Sequence, residues 1–153
     1  MEEPSISIVN DPDAADRDAI LCPLVAYYNE KLGPTDFRPF AIFLRENPKD
    51  AIIGGLWGWS AHDWFVVELL FVPEPLRGRG IGSLLMNKAE RTAIERGCVG
   101  VWLDSFGSQS QRFYEGLGYA PFGKIPNYPK GTDRLFFQKR LLADVNSARS
   151  VLP

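Results

Sequence analysis

The sequence predicts a single α/β domain in which helices cover a mixed sheet, and three observations carry that prediction. "WFVVELLFV" (Trp64–Val72) is a nearly continuous apolar run of strand length, as expected of a strand buried on both faces. Past "RGRGIG", apolar residues recur every three to four positions, the period of a helix with one apolar face. Strand-like and helix-like segments follow the order β-α-β-β-β-α-β-α-β-β, which builds a mixed sheet with helices packed against it.

Each element has its own signal. "SISIVN" alternates apolar and polar residues and predicts a short first strand. Asp13 or Asp16 then offers an N-cap for a helix through "RDAILCPLVAYYNEKLG", in which Pro23 must break or kink the chain and Gly33-Pro34 ends it. "FRPFAIFLRE" and "AIIGGLWGWS" predict strands, with "NPKD" and "AHD" as turns. After the glycines, Ile81, Leu84, Leu85, Ala89, Ala93 and Ile94 form the apolar helix face. Lys88, Glu90, Arg91, Glu95 and Arg96 take the opposite side, and Gly97 closes the helix.

"VGVWLDSF" predicts another buried strand, and "SQSQRFYEGLGY" a short helix ending at Gly118. "APFGKI" and "RLFFQKRLL" read as a closing strand pair across the turn "PNYPKGTD". With no repeat, low-complexity tract or linker, residues 1–145 read as one domain and 146–153 as a loose tail.

Composition limits the function classes. A net charge of −2 and a pI near 5.4 give no general electrostatic case for nucleic acid or an anionic membrane, so any anion site must be local. No apolar stretch approaches the ~20 residues needed to span a bilayer. The acidic start "MEEPSISIVNDPD" lacks a basic and then an apolar leader segment, so a soluble, cytoplasmic protein is expected. Cys22 and Cys98 lie far apart among apolar neighbours and read as buried thiols in a reducing compartment. His62 is the only histidine and sits in the hairpin-like "SAHDW". A His-based metal site or a Ser-His-Asp triad therefore has almost no material to form from.

The glycine-rich turn is the most informative stretch. A strand running through "RGRGIG" into a helix presents backbone N–H groups that have no partner within the helix, at the positive end of its dipole. Gly78, Gly80 and Gly82 let an anion approach the backbone, and Arg77 and Arg79 add charge beside it. A tight turn with no ligand is the plain alternative. A Walker loop needs Gly-Lys-Ser/Thr, and here Ile81-Gly82-Ser83 follows Gly80 without a lysine. A dinucleotide fingerprint from Gly78 needs glycine where Ser83 stands, although Asp104 loosely fills the role of its distant acidic residue.

Arg77-Gly78-Arg79-Gly80-Ile81-Gly82 also fits the pattern Arg/Gln-x-x-Gly-x-Gly/Ala. It resembles the pyrophosphate loop of the GNAT superfamily of acyl-CoA-dependent N-acetyltransferases. The preceding "LFVPEP" resembles that family's strand end, and "FYEGLGY" (Phe113–Tyr119) resembles its second signature, about 36 residues after Arg77. The similarity covers roughly Ile53 to Leu141. It implies a mostly antiparallel sheet of about six to seven strands with splayed central strands. It further implies acetyl transfer from acetyl-CoA to a small or peptidic primary amine in a ternary complex, with acetyl-CoA as co-substrate and no metal. A homodimer is compatible with the family. A non-catalytic acyl-CoA sensor or scaffold is the alternative reading.

Residue by residue, the resemblance assigns the backbone of Leu70, Phe71 and Val72 to the pantetheine arm. It assigns Arg77, Gly78, Arg79, Gly80, Ile81, Gly82 and Ser83 to the pyrophosphate. Where the family often has an asparagine contacting CoA, this chain has Gly107-Ser108-Gln109-Ser110, so Ser108 stands as substitute contact and helix N-cap. Tyr114 aligns with the general acid at the CoA sulfur; its phenol, with an ordinary pKa around 10, is protonated at neutral pH. Core packing is the other account of that ring. Glu68, the one charge in its apolar run, needs a partner or a water-filled cleft and is a candidate base. Asp104 is the alternative base, a binder of cationic substrate, or a turn aspartate. Trp57, Trp59, Trp64, the Tyr128-Pro129 turn and Phe37–Phe40 are candidates to wall the acceptor site.

Overall fold

A computed structural model of the chain describes residues 4–141, so the expected loose tail lies outside the described residues. The contacts divide into two compact units, the first ending at Thr35 and the second beginning at Asp36.

In the first unit, "SISIVN" belongs to no strand, and Ile6 and Ile8 are 96% and 89% exposed. Period-two alternation sets only where side chains point; a strand also needs a neighbour for its backbone groups, and this segment has none. Helix α1 spans Ala14–Leu32. Asp13 is its N-cap: its carboxylate accepts from the Asp16 N–H at 2.9 Å, and the Asp16 carboxylate accepts from the Asp13 N–H at 3.0 Å. The expected break at Pro23 does not occur; one helix runs through it. Proline removes one N–H donor, and the capped turns on either side hold the segment together. Gly33, at φ 86°, ends the helix with its N–H on the Asn29 carbonyl. Cys22, expected as a buried thiol, is exposed.

The second unit carries a six-stranded sheet in the order β1-β2-β3-β4-β6-β5. Its strands are β1 (Arg38–Leu44), β2 (Gly54–Ala61), β3 (Trp64–Phe71), β4 (Gly100–Phe106), β5 (Ala120–Ile125) and β6 (Arg134–Arg140). Every pairing is antiparallel except β3 with β4, which requires a crossover between them. Helix α2 (Ile81–Glu95) supplies it, and α3 (Gly107–Gly116) follows β4. The β2–β3 hairpin turns on His62 and Asp63, both at positive φ, which matches the twist of the flanking strands.

The core lies between one sheet face and these two helices. Phe65 and Val67 of β3, Val101 and Leu103 of β4 and Phe137 of β6 meet Leu85, Met86, Ala89 and Ala93 of α2 and Tyr114 of α3. Cys98 is buried here, which pushes its thiol pKa up. The buried face of α2 is rotated from the expected one: Met86 is inside, while Leu84 and Ile94 are about half exposed. At 100° per residue Leu84 lies about 150° from the centre of the buried set.

Two side chains assigned to the solvent side, Glu90 of α2 and Arg96 at its C-cap, instead tie the helix to the sheet. Arg96 donates to the carbonyls of Arg38 (2.7 Å) and Pro39 (3.1 Å) and to the buried Ser60 hydroxyl (3.1 Å). Glu90 accepts from Lys139 Nζ at 2.7 Å and the Tyr119 hydroxyl at 3.0 Å. Among the described residues no helix is long and apolar enough to cross a membrane.

Candidate active site

The site begins with a parting of strands. β3 pairs with β4 only from Trp64–Val67 to Gly100–Leu103, yet β3 continues to Phe71 and β4 to Phe106. The cause lies in the β2–β3 ladder, where Gly58 faces Val67 but Trp57 faces Leu69, leaving Glu68 as the extra residue of a bulge. Only glycine fits opposite: a Cβ at Gly58 would sit 2.3 Å from the Val66 carbonyl oxygen. Beyond the bulge β3 changes character. Phe65, Val66 and Val67 are buried, whereas Glu68, Leu69 and Phe71 are exposed, so the strand expected to be covered on both faces is covered only in its first half.

Two clefts meet where the strands part. The first, of about 740 Å³, lies between the end of β3, the glycine turn and α3. The turn reaches α2 through Gly78 (φ 72°) and Gly80 (φ 75°), both left-handed, and Gly80 is the helix N-cap. Leu84 donates the first helical bond, to the Gly80 carbonyl, so the N–H groups of Ile81, Gly82 and Ser83 have no helical partner. Gly82 serves a different purpose: a Cβ there would lie 3.2 Å from the Phe113 ring, so its absence lets α3 pack close. Arg77 lines the cleft with its Nε donating to the Val72 carbonyl at 2.9 Å.

The second cleft, of about 530 Å³, is lined by Trp59, Val66, Glu68, Leu69, Trp102, Asp104 and Arg134, among others. On β4, Trp102 and Asp104 alternate with Val101 and Leu103, which point into the core, so this cleft lies on the sheet face away from α2. Leu70, Ser105, Phe106 and Tyr114 line both clefts.

The Acetyltransferase (GNAT) family profile matches residues 10–119. The chain belongs to this GNAT acetyltransferase family. It is 38% identical over 128 residues to an acetyltransferase of Agrobacterium fabrum strain C58, covering 84% of this chain and 93% of that one. It is 37% identical over 91 residues to blasticidin-S acetyltransferase of Streptomyces morookaense, covering 59% of this chain and 67% of that protein. A crystal structure described as an acetyltransferase from Agrobacterium tumefaciens superposes with a TM-score of 0.85 at 36% identity, over 90% of this chain and 99% of the other. At 16% identity and a TM-score of 0.59, an aminoglycoside 6'-N-acetyltransferase crystallised with coenzyme A shares the fold, over 89% and 96% of the two chains.

Within this GNAT fold the expected cofactor residues largely converge. Leu70, Phe71, Val72, Arg77, Gly78, Gly80, Ile81, Gly82 and Ser83 all line the first cleft; Arg79 and Ser108 do not. Ser108 is also not the N-cap of α3: the helix starts at Gly107 with Phe106 before it and no side-chain cap. Gln109 and Ser110 reach the cleft instead, beside Leu76, Ser105 and Phe113.

Tyr114 is 6% exposed and touches the rings of Phe113, Tyr119 and Phe137. Burial, and secondarily the nearby Asp104 charge, push its pKa up to about 12, which keeps the phenol neutral. Asp104 is paired: Arg134 Nε donates to its Oδ2 at 2.6 Å. Glu68 makes no ion pair or hydrogen bond among the described residues, and its place in a cleft accounts for a charge on that strand.

Of the tryptophans, Trp59 lines the second cleft, against Phe37 at 5.5 Å. Trp57 and Trp64 do not line it. Trp64 packs over Gly100 and under the Arg140 guanidinium, 4.7 Å away.

The sequence reading omitted Trp102, Phe106 and Arg134. Alternation from Asp104 would have found the first two. Arg134 carries no local signal, because antiparallel register alone, with Phe106 opposite Arg134, brings it to Asp104.

Proposed function

We propose that this GNAT acetyltransferase transfers the acetyl group of acetyl-CoA to a primary amine by direct attack in a ternary complex. The observation that carries the proposal is the meeting of two clefts, one on each sheet face, at Leu70, Ser105, Phe106 and Tyr114. Donor and acceptor bound on opposite faces would meet there in line.

The first cleft suits the donor. Three unpaired N–H groups at the start of α2, with Arg77 beside them, match a pyrophosphate. The edge of β3 that no longer pairs with β4 offers backbone groups to the pantetheine amides. An N–H there would polarise the thioester oxygen. The coenzyme A bound by the aminoglycoside 6'-N-acetyltransferase that shares the fold is consistent with this assignment, as is the name of the Streptomyces relative, blasticidin-S acetyltransferase, with an amine acceptor.

In the reaction the amine nitrogen bonds to the thioester carbon, the C–S bond breaks, and the thiolate leaves as coenzyme A. Tyr114 donates to that thiolate. Its pKa of about 12 exceeds an ordinary thiol's pKa of about 8.5, so hydrogen bonding contributes more than complete proton transfer. Glu68, unpaired and in the second cleft, is the better placed carboxylate to take the amine proton, directly or through water, since Arg134 already holds Asp104.

The test joins melting and turnover. Acetyl-CoA at a hundredfold excess over its Kd should stabilise the protein by about 2.7 kcal/mol, with no comparable shift from NAD or ATP. Tyr114→Phe should lower kcat by roughly 10²–10³, the size of losing one hydrogen-bond donor to developing charge, while changing acetyl-CoA affinity little. Unchanged kcat would reassign Tyr114 to core packing, a role its three ring contacts also suit.

A further inference from the structure

The second cleft holds three charged side chains, Glu68, Asp104 and Arg134, within an apolar and aromatic wall that includes Trp59, Leu69, Trp102 and Phe106. Arg134 is fixed. Its Nε bonds Asp104, and its guanidinium lies 5.4 Å from the rings of Phe106 and Tyr128 and 5.8 Å from that of Phe136. The side chains of Arg134 and Asp104 are 29% and 26% exposed, so solvent screens this pair less than an open surface one. Arg134 therefore cancels Asp104, and among the described residues lining this cleft Glu68 is left as the one carboxylate without a countercharge.

We infer that the acceptor is a small primary amine bearing a single positive charge on an apolar, aromatic body, and that Arg134 enforces this choice. The inference rests on the acetyl-transfer reading above and names its substrate class. One ammonium compensates Glu68 as it leaves water. A second cation in the same cleft finds no free carboxylate and faces the Arg134 guanidinium, so its desolvation goes uncompensated. An aromatic body instead gains contact with Trp59, Trp102 and Phe106. The cleft volume of about 530 Å³ suits a small molecule.

A matched pair of amines tests this through coenzyme A release. 4-Isobutylphenethylamine and 4-[(dimethylamino)methyl]phenethylamine have the same shape and one primary amine each, but the second carries an additional cation. The wild-type protein should favour the isobutyl compound in kcat/KM by at least about tenfold. Arg134→Met frees Asp104, so the ratio should fall towards one or invert. Asp104→Asn keeps the cation and removes its partner, so the ratio should widen; this variant carries the test if Arg134→Met melts at assay temperature. Equal or better use of the dication by wild-type protein, or a ratio unmoved by the substitutions, would overturn this inference while leaving acetyl transfer standing. Turnover of neither amine, with acetyl-CoA still raising the Tm, would overturn this inference, and the transfer reading would fall with it only if a broad amine panel also gave no coenzyme A release.

Discussion

The first half of β3, Trp64–Val67, and the second half, Glu68–Phe71, come from one apolar run but have opposite surroundings. The first pairs with strands on both sides and buries Phe65, Val66 and Val67. The second keeps β2 and loses β4, and Leu69 and Phe71 are 61% and 55% exposed. The second half begins at Glu68, the extra member of the bulge. Hydrophobic residues become core only where the ladder persists; where it ends, the same residue types become the lining of a cleft.

Substitutions can break or sharpen this contrast. Phe65→Ala, in the fully buried half, should cost roughly 3–5 kcal/mol in urea unfolding. A loss below about 1 kcal/mol would deny that this half is core.

Tyr114 should show its burial in alkali. The folded protein holds that proton to about pH 12, whereas the unfolded chain releases it near 10. Its contribution, about 3 kcal/mol, is therefore whole below pH 10 and is lost as pH rises through 12. Tyr119, raised further by burial and by Glu90, adds in the same direction. Unfolding free energies of wild type and Tyr114→Phe across pH 9–12 should diverge accordingly, and parallel curves would count against the buried phenol.

At the turn, Gly80→Ala forces a side chain into a left-handed residue at a cost of about 1–2 kcal/mol, and should also shrink the Tm rise with acetyl-CoA. Smallest of all, Leu69→Ala should change stability by no more than about 0.5 kcal/mol while raising KM for the amine. A large loss of stability there would erase the distinction between the two halves.

Much of the fold was legible because its signals are local. The strand–turn–helix from Trp64 to Glu95 is marked by its apolar run, its glycines and the helical period. The glycine turn likewise reported a helix start whose first N–H groups have no helical partner, since these follow from the helix itself. The failures are also physical. "SISIVN" has the alternation of a strand and no neighbour, and Pro23 sits in a helix whose capped ends hold it together. Ser108 looked like a cap, but the helix begins one residue before it.

The amino-acid sequence by itself determined the family and the glycine turn, because both rest on patterns within a few positions of the chain, and it singled out Glu68, Asp104 and Tyr114 as candidates. Tertiary structure alone decided where the ladder between β3 and β4 ends, and so which apolar residues line a cleft. It also decided the charge of the second cleft. Glu68, Asp104 and Arg134 stand far apart in sequence, and only the register of β6 against β4 lets Arg134 cancel Asp104 and leave Glu68 unmatched.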